Sequence, residues 1–229
     1  MFYNLKTKMQ KLIFILFLLL PALSFTQVNL DSLWSVWDDE TQADTNRLKA
    51  MQDISWKGYL FNQPDSAFYF AQIQLNFAKE KRQKKYMAAA FNTQGVSFAI
   101  QGDYTKAIEY YTQSLKIEKE IGNKNGIAAS FNNIGNIYNS QGDYAKAIEY
   151  LSQSLKIYEE IGDKKGIATS LSSIGRIYNS QGDYAKAIEH HSQSLKIFEE
   201  IGDKYGIAAS LGNIANIYND QGDYAKAIE

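Results

Sequence analysis

The 229-residue chain has no cysteine, only two prolines and only two histidines. Without a thiol there is no disulfide framework, thiolate zinc site, iron–sulfur cluster, cysteine nucleophile or lipid-modified cysteine. So few prolines leave long helices uninterrupted. Charge of one sign is also missing: 24 Lys+Arg against 25 Asp+Glu give a formal net charge of −1. A dedicated nucleic-acid binder needs a clear basic excess for its phosphate contacts, so the balance argues against that class. Hydrophobic residues are plentiful, at 45%, which places the chain among folded proteins.

One long apolar run exists, at residues 12–20, preceded by Lys6, Lys8 and Lys11 and followed by Pro21, Ala22 and Ser24. This reads as a secretory signal peptide over 1–26, cleaved after Ser24 or Thr26. The run is short for about 30 Å of hydrocarbon; a retained membrane helix is the alternative. Removing the segment takes away three lysines and no acids, leaving 21 basic against 25 acidic residues, or −4. The expected destination is export: periplasmic or secreted, or anchored at the inner membrane in a longer product.

The dominant feature is self-similarity. Gln-Gly-Asp-Tyr recurs at 101–104, 141–144, 181–184 and 221–224, a period of 40. Residues 128–167 and 168–207 match at 31 of 40 positions, 88–127 are a more divergent copy, and 208–229 begin a fourth. Within a copy, Phe131, Ile134, Gly135 and Tyr138 fall at i, i+3, i+4 and i+7, one stripe of a helix. Gly142 suits the left-handed position that ends it, and Asp143 suits the cap of a second helix carrying Tyr144, Ala147, Ile148, Leu151, Leu155 and Tyr158. Gly135 inside a helix costs about 1 kcal/mol against alanine; its recurrence as Gly95 and Gly175, with Ala215 in the fourth copy, points to a tight helix crossing. Each copy is a helix hairpin.

These residues resemble the tetratricopeptide repeat family, in which an aromatic, Leu-Gly, Tyr, Ala and a large apolar residue follow in order. Here the pattern stands as Phe131-x2-Ile134-Gly135-x2-Tyr138 and Ala147-x3-Leu151. The third copy reads Leu171, Ile174, Gly175, Tyr178, Ala187 and His191, and the first reads Phe91, Gln94, Gly95, Phe98, Ala107 and Tyr111. The period exceeds the family's 34 and the closing proline is absent; both departures imply a longer second helix. The resemblance implies an all-α fold, a right-handed superhelical solenoid of antiparallel helix hairpins. The 40-residue form is similar to the repeats of spindle-orientation adaptors, more loosely to those of kinesin light chains, and to many exported bacterial sensor proteins.

Residues 45–87 fit the frame poorly, with Ser55 and Gly58 at the positions of Gly95 and Phe98, and read as a degenerate capping pair with Pro64 near the start of its second helix. Residues 27–44 are either a linker or a short capping helix over Asp31 to Trp37, with Leu33, Trp34 and Trp37 covering the edge of the next pair. Downstream, Glu229 corresponds to Glu189, early in a second helix. The expectation is a fragment of a longer product, or a last copy that frays.

Chemistry-bearing motifs are few. His190 and His191 are adjacent, about 100° apart on a helix, and cannot chelate one metal. His191 takes the place of Leu151 and is expected to pack; His190 replaces Tyr150 and is expected to be solvated. Gly162-Asp-Lys-Lys-Gly166 lacks phosphate-loop spacing and reads as a helix-to-helix turn. Gly95-Val-Ser97-Phe-Ala99 lacks the second glycine of a nucleophile elbow. The basic run from Lys79 to Lys85 reads as a solvated helix end, with a phosphate or membrane contact as the alternative. No catalytic set, cofactor site or metal site is expected.

The sharper signal is where the copies differ. Residues 129, 132, 133 and 136 fall at i, i+3, i+4 and i+7 on one face of the first helix. The face reads Ala89/Asn92/Thr93/Val96, then Ala129/Asn132/Asn133/Asn136, Thr169/Ser172/Ser173/Arg176 and Ala209/Gly212/Asn213/Asn216. Resemblance to tetratricopeptide arrays places it on the concave groove. Asparagine amides can pair with both N–H and C=O of an extended ligand backbone, and in the adaptors the Asn of Leu-Gly-Asn-x-Tyr does so, matching Asn136 and Asn216 here. Arg176 can take a ligand carboxylate in a bidentate pair. The alternative is that these side chains bond neighbouring helices or water. Asn139, Asn179 and Asn219 recur near a helix end, where capping is expected.

Two functions follow as expectations. One is a non-catalytic scaffold that binds a protein or extended peptide, through Asn92, Asn132, Asn133, Asn136, Ser172, Arg176, Asn213 and Asn216. The other is the sensor region of a membrane signalling enzyme of the nucleotide cyclase or histidine kinase type, with a transmembrane helix and output domain beyond residue 229. Self-association through an exposed C-terminal face is a third, structural possibility.

Overall fold

A computed structural model of the chain describes residues 29–227. The leader expected over 1–26 lies outside them. From Asp31 onward the chain forms one unit, and its described elements are all helical. Helix α1 (Leu30–Asp38) precedes α2 (Asp44–Asp53), which continues through a π-helical segment, Ile54–Tyr59, before α3 (Pro64–Glu80). Three full hairpins follow: α4 (Lys84–Ile100) with α5 (Tyr104–Glu120), α6 (Lys124–Ser140) with α7 (Tyr144–Ile161), and α8 (Lys164–Ser180) with α9 (Tyr184–Glu200). Helix α10 (Lys204–Asp220) and the short α11 (Tyr224–Ala227) begin a fourth. No described helix is long and apolar enough to cross a membrane. The second helices have 17 or 18 residues and the first helices 17, so within a copy the two are matched in length. Each hairpin starts four residues before the sequence frame, because a period fixes the length of a repeat and not its phase.

The turns are made by backbone chemistry legible in the sequence. Gly142, at φ +78°, donates to Asn139 O at 3.0 Å while Asp143 N–H donates to Tyr138 O at 2.9 Å, the paired bonds of a Schellman terminus. Asp143 then caps α7, accepting from Lys146 N–H at 3.2 Å, and Lys146 Nζ closes on the same carboxylate at 2.7 Å. Those bonds hold the Asp143 carboxyl below its ordinary range. Asp103, Asp183 and Asp223 repeat the arrangement. At the inter-hairpin turns Asp163 and Asp203 cap α8 and α10 through Gly166 and Gly206 N–H.

Hairpin packing centres on an alanine and a glycine. Ala107, Ala147 and Ala187 are fully buried. A Cβ added at Gly135 would lie 2.8 Å from Leu151 Cγ and 3.2 Å from Ala147 O, so the glycine is what lets the two helices close. Buried serines then clip the hairpin: Ser114, Ser154 and Ser194 donate to Ala88, Ala128 and Ala168 O at 2.8–3.0 Å. Exposed pairs Lys84–Glu120, Lys124–Glu160 and Lys164–Glu200 span its open end at 3.0–3.1 Å. At the N-terminal end, α1 sets Trp34 against Phe70 and Trp37 against Phe77 on α3, at 5.3 and 5.2 Å. Arg47 lies over both the Trp37 and Phe77 rings. Within the basic run, Lys81 pairs with Glu80 and Asp44, and Lys84 with Glu120.

Candidate ligand groove

First helices of successive copies touch one another, α6 against α8 and α8 against α10, while no comparable contact joins successive second helices among the described residues. The first helices are therefore the more closely spaced set, which puts their shared face on the inner side of the array. That face carries the four variable positions of each copy.

The structure brings these side chains together across copies. Residues 40 or 41 apart stand side by side on neighbouring first helices, within reach of short polar side chains. Asn133 Nδ2 donates to Asn92 Oδ1 at 2.8 Å. Arg176 Nη2 donates to Asn136 Oδ1 at 2.7 Å and to Ser173 Oγ at 3.3 Å. Asn213 Nδ2 reaches Ser172 Oγ at 3.5 Å. The groove residues thus form a ladder with three rungs between copies. Of the other two, Asn132 keeps a buried Oδ1 with no hydrogen-bond partner in the protein, and Asn216 is exposed on α10.

Arg176 is the one cation among the sixteen residues of this face. Its side chain is exposed, yet loss of hydration lowers its pKa from the ordinary value. Neighbouring protein thus displaces part of the guanidinium's hydration while the side chain keeps solvent access. It remains a cation at any accessible pH. Among the described residues it joins no ion pair. Two neutral acceptors therefore fix Nη2 and orient a guanidinium whose charge has no counter-ion.

The histidines lie on α9, behind this face. His191 is 1% exposed and packs on Gly175 in the place Leu151 occupies against Gly135. Burial, then the charges of Arg176 and His190, push its pKa down to about 4. His190 corrects the expectation of a solvated side chain: it is half-buried and stacked on Tyr178, with centroids 5.4 Å apart and planes 5° apart. The cause is the geometry of the hairpin, since the equivalent Tyr150 stacks on Tyr138 in the same way in copy two. The capping expected of Asn139 and Asn179 is also corrected. Their Oδ1 atoms are buried without a partner, because the Schellman bonds already satisfy the helix end. Among the described residues no cluster of His, Asp and Glu is placed to hold a metal ion.

One contact escaped sequence reasoning. Gly126, Gly166 and Gly206 sit in the first turn of α6, α8 and α10, directly under Glu118, Tyr158 and Phe198, and a Cβ at any of them would collide with the side chain above. The signal was a fixed eight-residue spacing between a ring and a glycine in two copies. Glu118 in the first copy obscured it. That carboxyl is 8% exposed, accepts from Asn123 Nδ2 at 2.8 Å, and has its pKa raised by burial.

The family model described as "Tetratricopeptide repeat" matches residues 86–160 and 166–229. No curated protein matches the chain. Among solved structures, BtubC (BKLC) from P. vanneervenii is 19% identical with TM-score 0.68, over 86% of this chain and 85% of that one. Aspartyl phosphate phosphatase F from Bacillus subtilis is 17% identical with TM-score 0.66, over 81% of this chain and 58% of that one. A set of nearly identical TPR-like repeats from Podosopora anserina is 17% identical with TM-score 0.61, over 81% and 92%. At these identities the likeness is one of fold. The expected likeness to cyclase or kinase sensor regions gains no support from them.

Proposed function

Because the chain belongs to the tetratricopeptide repeat family, we propose that it is a non-catalytic scaffold that binds an extended peptide or protein segment along the first-helix face of its array. The observation that carries this reading is Arg176, an oriented guanidinium without a counter-ion on a polar helix face. A carboxylate on the ligand would supply the missing charge, in a charge-assisted pair worth about twice a neutral hydrogen bond. The ladder refines the part played by the asparagines. Asn92 and Asn133 spend one atom each on one another, as do Asn136 with Arg176 and Ser172 with Asn213. Each amide keeps its other group for a ligand backbone, and the rungs hold those groups in position. Export to the periplasm or medium belongs to the same proposal, resting on the leader pattern of residues 1–26.

Selection of peptides from an unbiased displayed library on the full chain tests this. Binders enriched in Asp, Glu or a free C-terminal carboxylate are expected, and Asn136→Ala with Arg176→Ala is expected to weaken them at least tenfold while helical circular dichroism is unchanged. Binders that ignore the double substitution would remove the groove from the first-helix face.

A further inference from the structure

Copy three departs from copy two by two imidazoles, His190 for Tyr150 and His191 for Leu151. His191 fills the notch above Gly175, where a Cβ would lie 2.9 Å from its Nε2. Its Nδ1 is buried and meets no partner in the protein. His190 lies flat on Tyr178, and its Nδ1 is likewise buried and unpartnered. A neutral imidazole packs here much as a hydrophobe does. An imidazolium adds a charge, and its Nδ1–H meets no acceptor in the protein.

The surrounding charges do not help. From α8 come Arg176 and Tyr178, and the Tyr178 ring also carries Lys186 Nζ at 5.0 Å. From α9, Glu189 acts on His190, while His191 feels only Arg176 and His190. Helix α10, also packed on α9, has Lys204, Tyr205 and Asp220 exposed and Tyr218 beneath Lys226. No carboxylate is offered to His191. Copy two has the same aspartate cap on its second helix, the same serine clip and the same Lys–Glu closure with an apolar Leu151 in the notch, so the chain contains its own control.

We propose that copy three is an acid-released latch on the groove: protonation of His191, with His190 beside it, drives α8 from α9 and draws Arg176 away from Asn136. What is released rests on the groove reading; the latch itself does not. The sign follows from linkage. His191 has a pKa of about 4 in the closed hairpin against an ordinary value near 6.5, so the open form binds the extra proton and gains as pH falls through that interval. Between pH 7.5 and 4.5 the opening equilibrium rises roughly seventy-fold from this one site.

Hydrogen exchange of the ligand-free full chain, normalised to intrinsic rates at the two pH values, is the test. Opening of Lys164–Ser180 and Tyr184–Glu200 is expected to rise tens of fold on acidification, with Lys124–Ser140 and Tyr144–Ile161 rising less than about threefold. His190→Tyr with His191→Leu, which installs the side chains of copy two, is expected to bring copy three down to its neighbour's level. An equal rise in both copies, or an undiminished rise in the variant, overturns the latch. No ligand enters that measurement, so a failed groove reading leaves its outcome intact. A second arm uses a peptide from the library selection: tenfold or greater loss of affinity at pH 4.5 that the double substitution abolishes supports gating of Arg176, and affinity independent of pH overturns it.

Discussion

Arg82 shows how one residue can break a pattern that every copy otherwise keeps. At three successive steps of forty residues its place is taken by Gly122, Gly162 and Gly202, all at φ between +68° and +70°. Arg82 occupies the same left-handed region at φ +56°, where its Cβ crowds the backbone at a cost of roughly 1–2 kcal/mol. Arg82→Gly is therefore expected to raise unfolding stability by about 1 kcal/mol, part of the relief being returned as backbone entropy in the unfolded chain. Urea denaturation of the two proteins reads the difference; a variant less stable than its parent would mean that the arginine makes a compensating contact. At this scale the repeating residues were legible. Gly135 at a tight helix crossing and Asp143 as a cap followed from spacing alone. Arg82 was not, since a missing glycine in a divergent copy reads as divergence until the backbone is seen.

Helices meet their neighbours through side chains that must change together, and the junction of α5 with α6 is the instructive case. In copies two and three a ring, Tyr158 or Phe198, covers Gly166 or Gly206, and an aspartate caps the next helix. In copy one Glu118 covers Gly126, and Asn123 gives its amide to that carboxylate. Helix α6 accordingly begins with no side-chain cap. An aspartate beneath Glu118 would place two carboxylates together, so neither residue can follow the pattern alone. Glu118→Tyr with Asn123→Asp is expected to stabilise the protein by about 1–2 kcal/mol at neutral pH, by restoring a cap and removing a desolvated charge. Burial raises the folded pKa of Glu118, so its stabilising contribution is present below the ordinary glutamate range and is lost as pH rises through the raised value. The gain should therefore shrink on acidification, and denaturation midpoints compared at neutral and acid pH check both size and sign. The hairpins and their turns were readable from the period-40 pattern because caps and glycines are local signals. The ladder between Asn133 and Asn92 was not, because it joins residues 41 apart, and only the stacking of one hairpin on the next decides which of them meet.

At the scale of the whole array, each hairpin contacts little beyond its neighbours, so stability is close to a sum of hairpin and interface contributions. Ile127 is followed by Ala128 as Ile167 is by Ala168. Deleting residues 128–167 therefore joins equivalent points of α6 and α8 and leaves the helical register unbroken. The shortened chain is expected to fold with undiminished helicity per residue, and to unfold at a lower denaturant midpoint with a smaller m-value, because one hairpin and one interface less are exposed. The same deletion sets Arg176 beside Val96, the copy-one residue at the position of Asn136, and so removes the shorter of the two bonds that orient the guanidinium. Fold and recognition should thus part company: circular dichroism preserved, peptide affinity reduced at least tenfold. A shortened chain that binds as well as its parent would show that recognition resides in a face other than the ladder. One that fails to fold would show that near-identical copies are not interchangeable neighbours, and that the nine differences between copies two and three carry interface specificity as well as ligand chemistry.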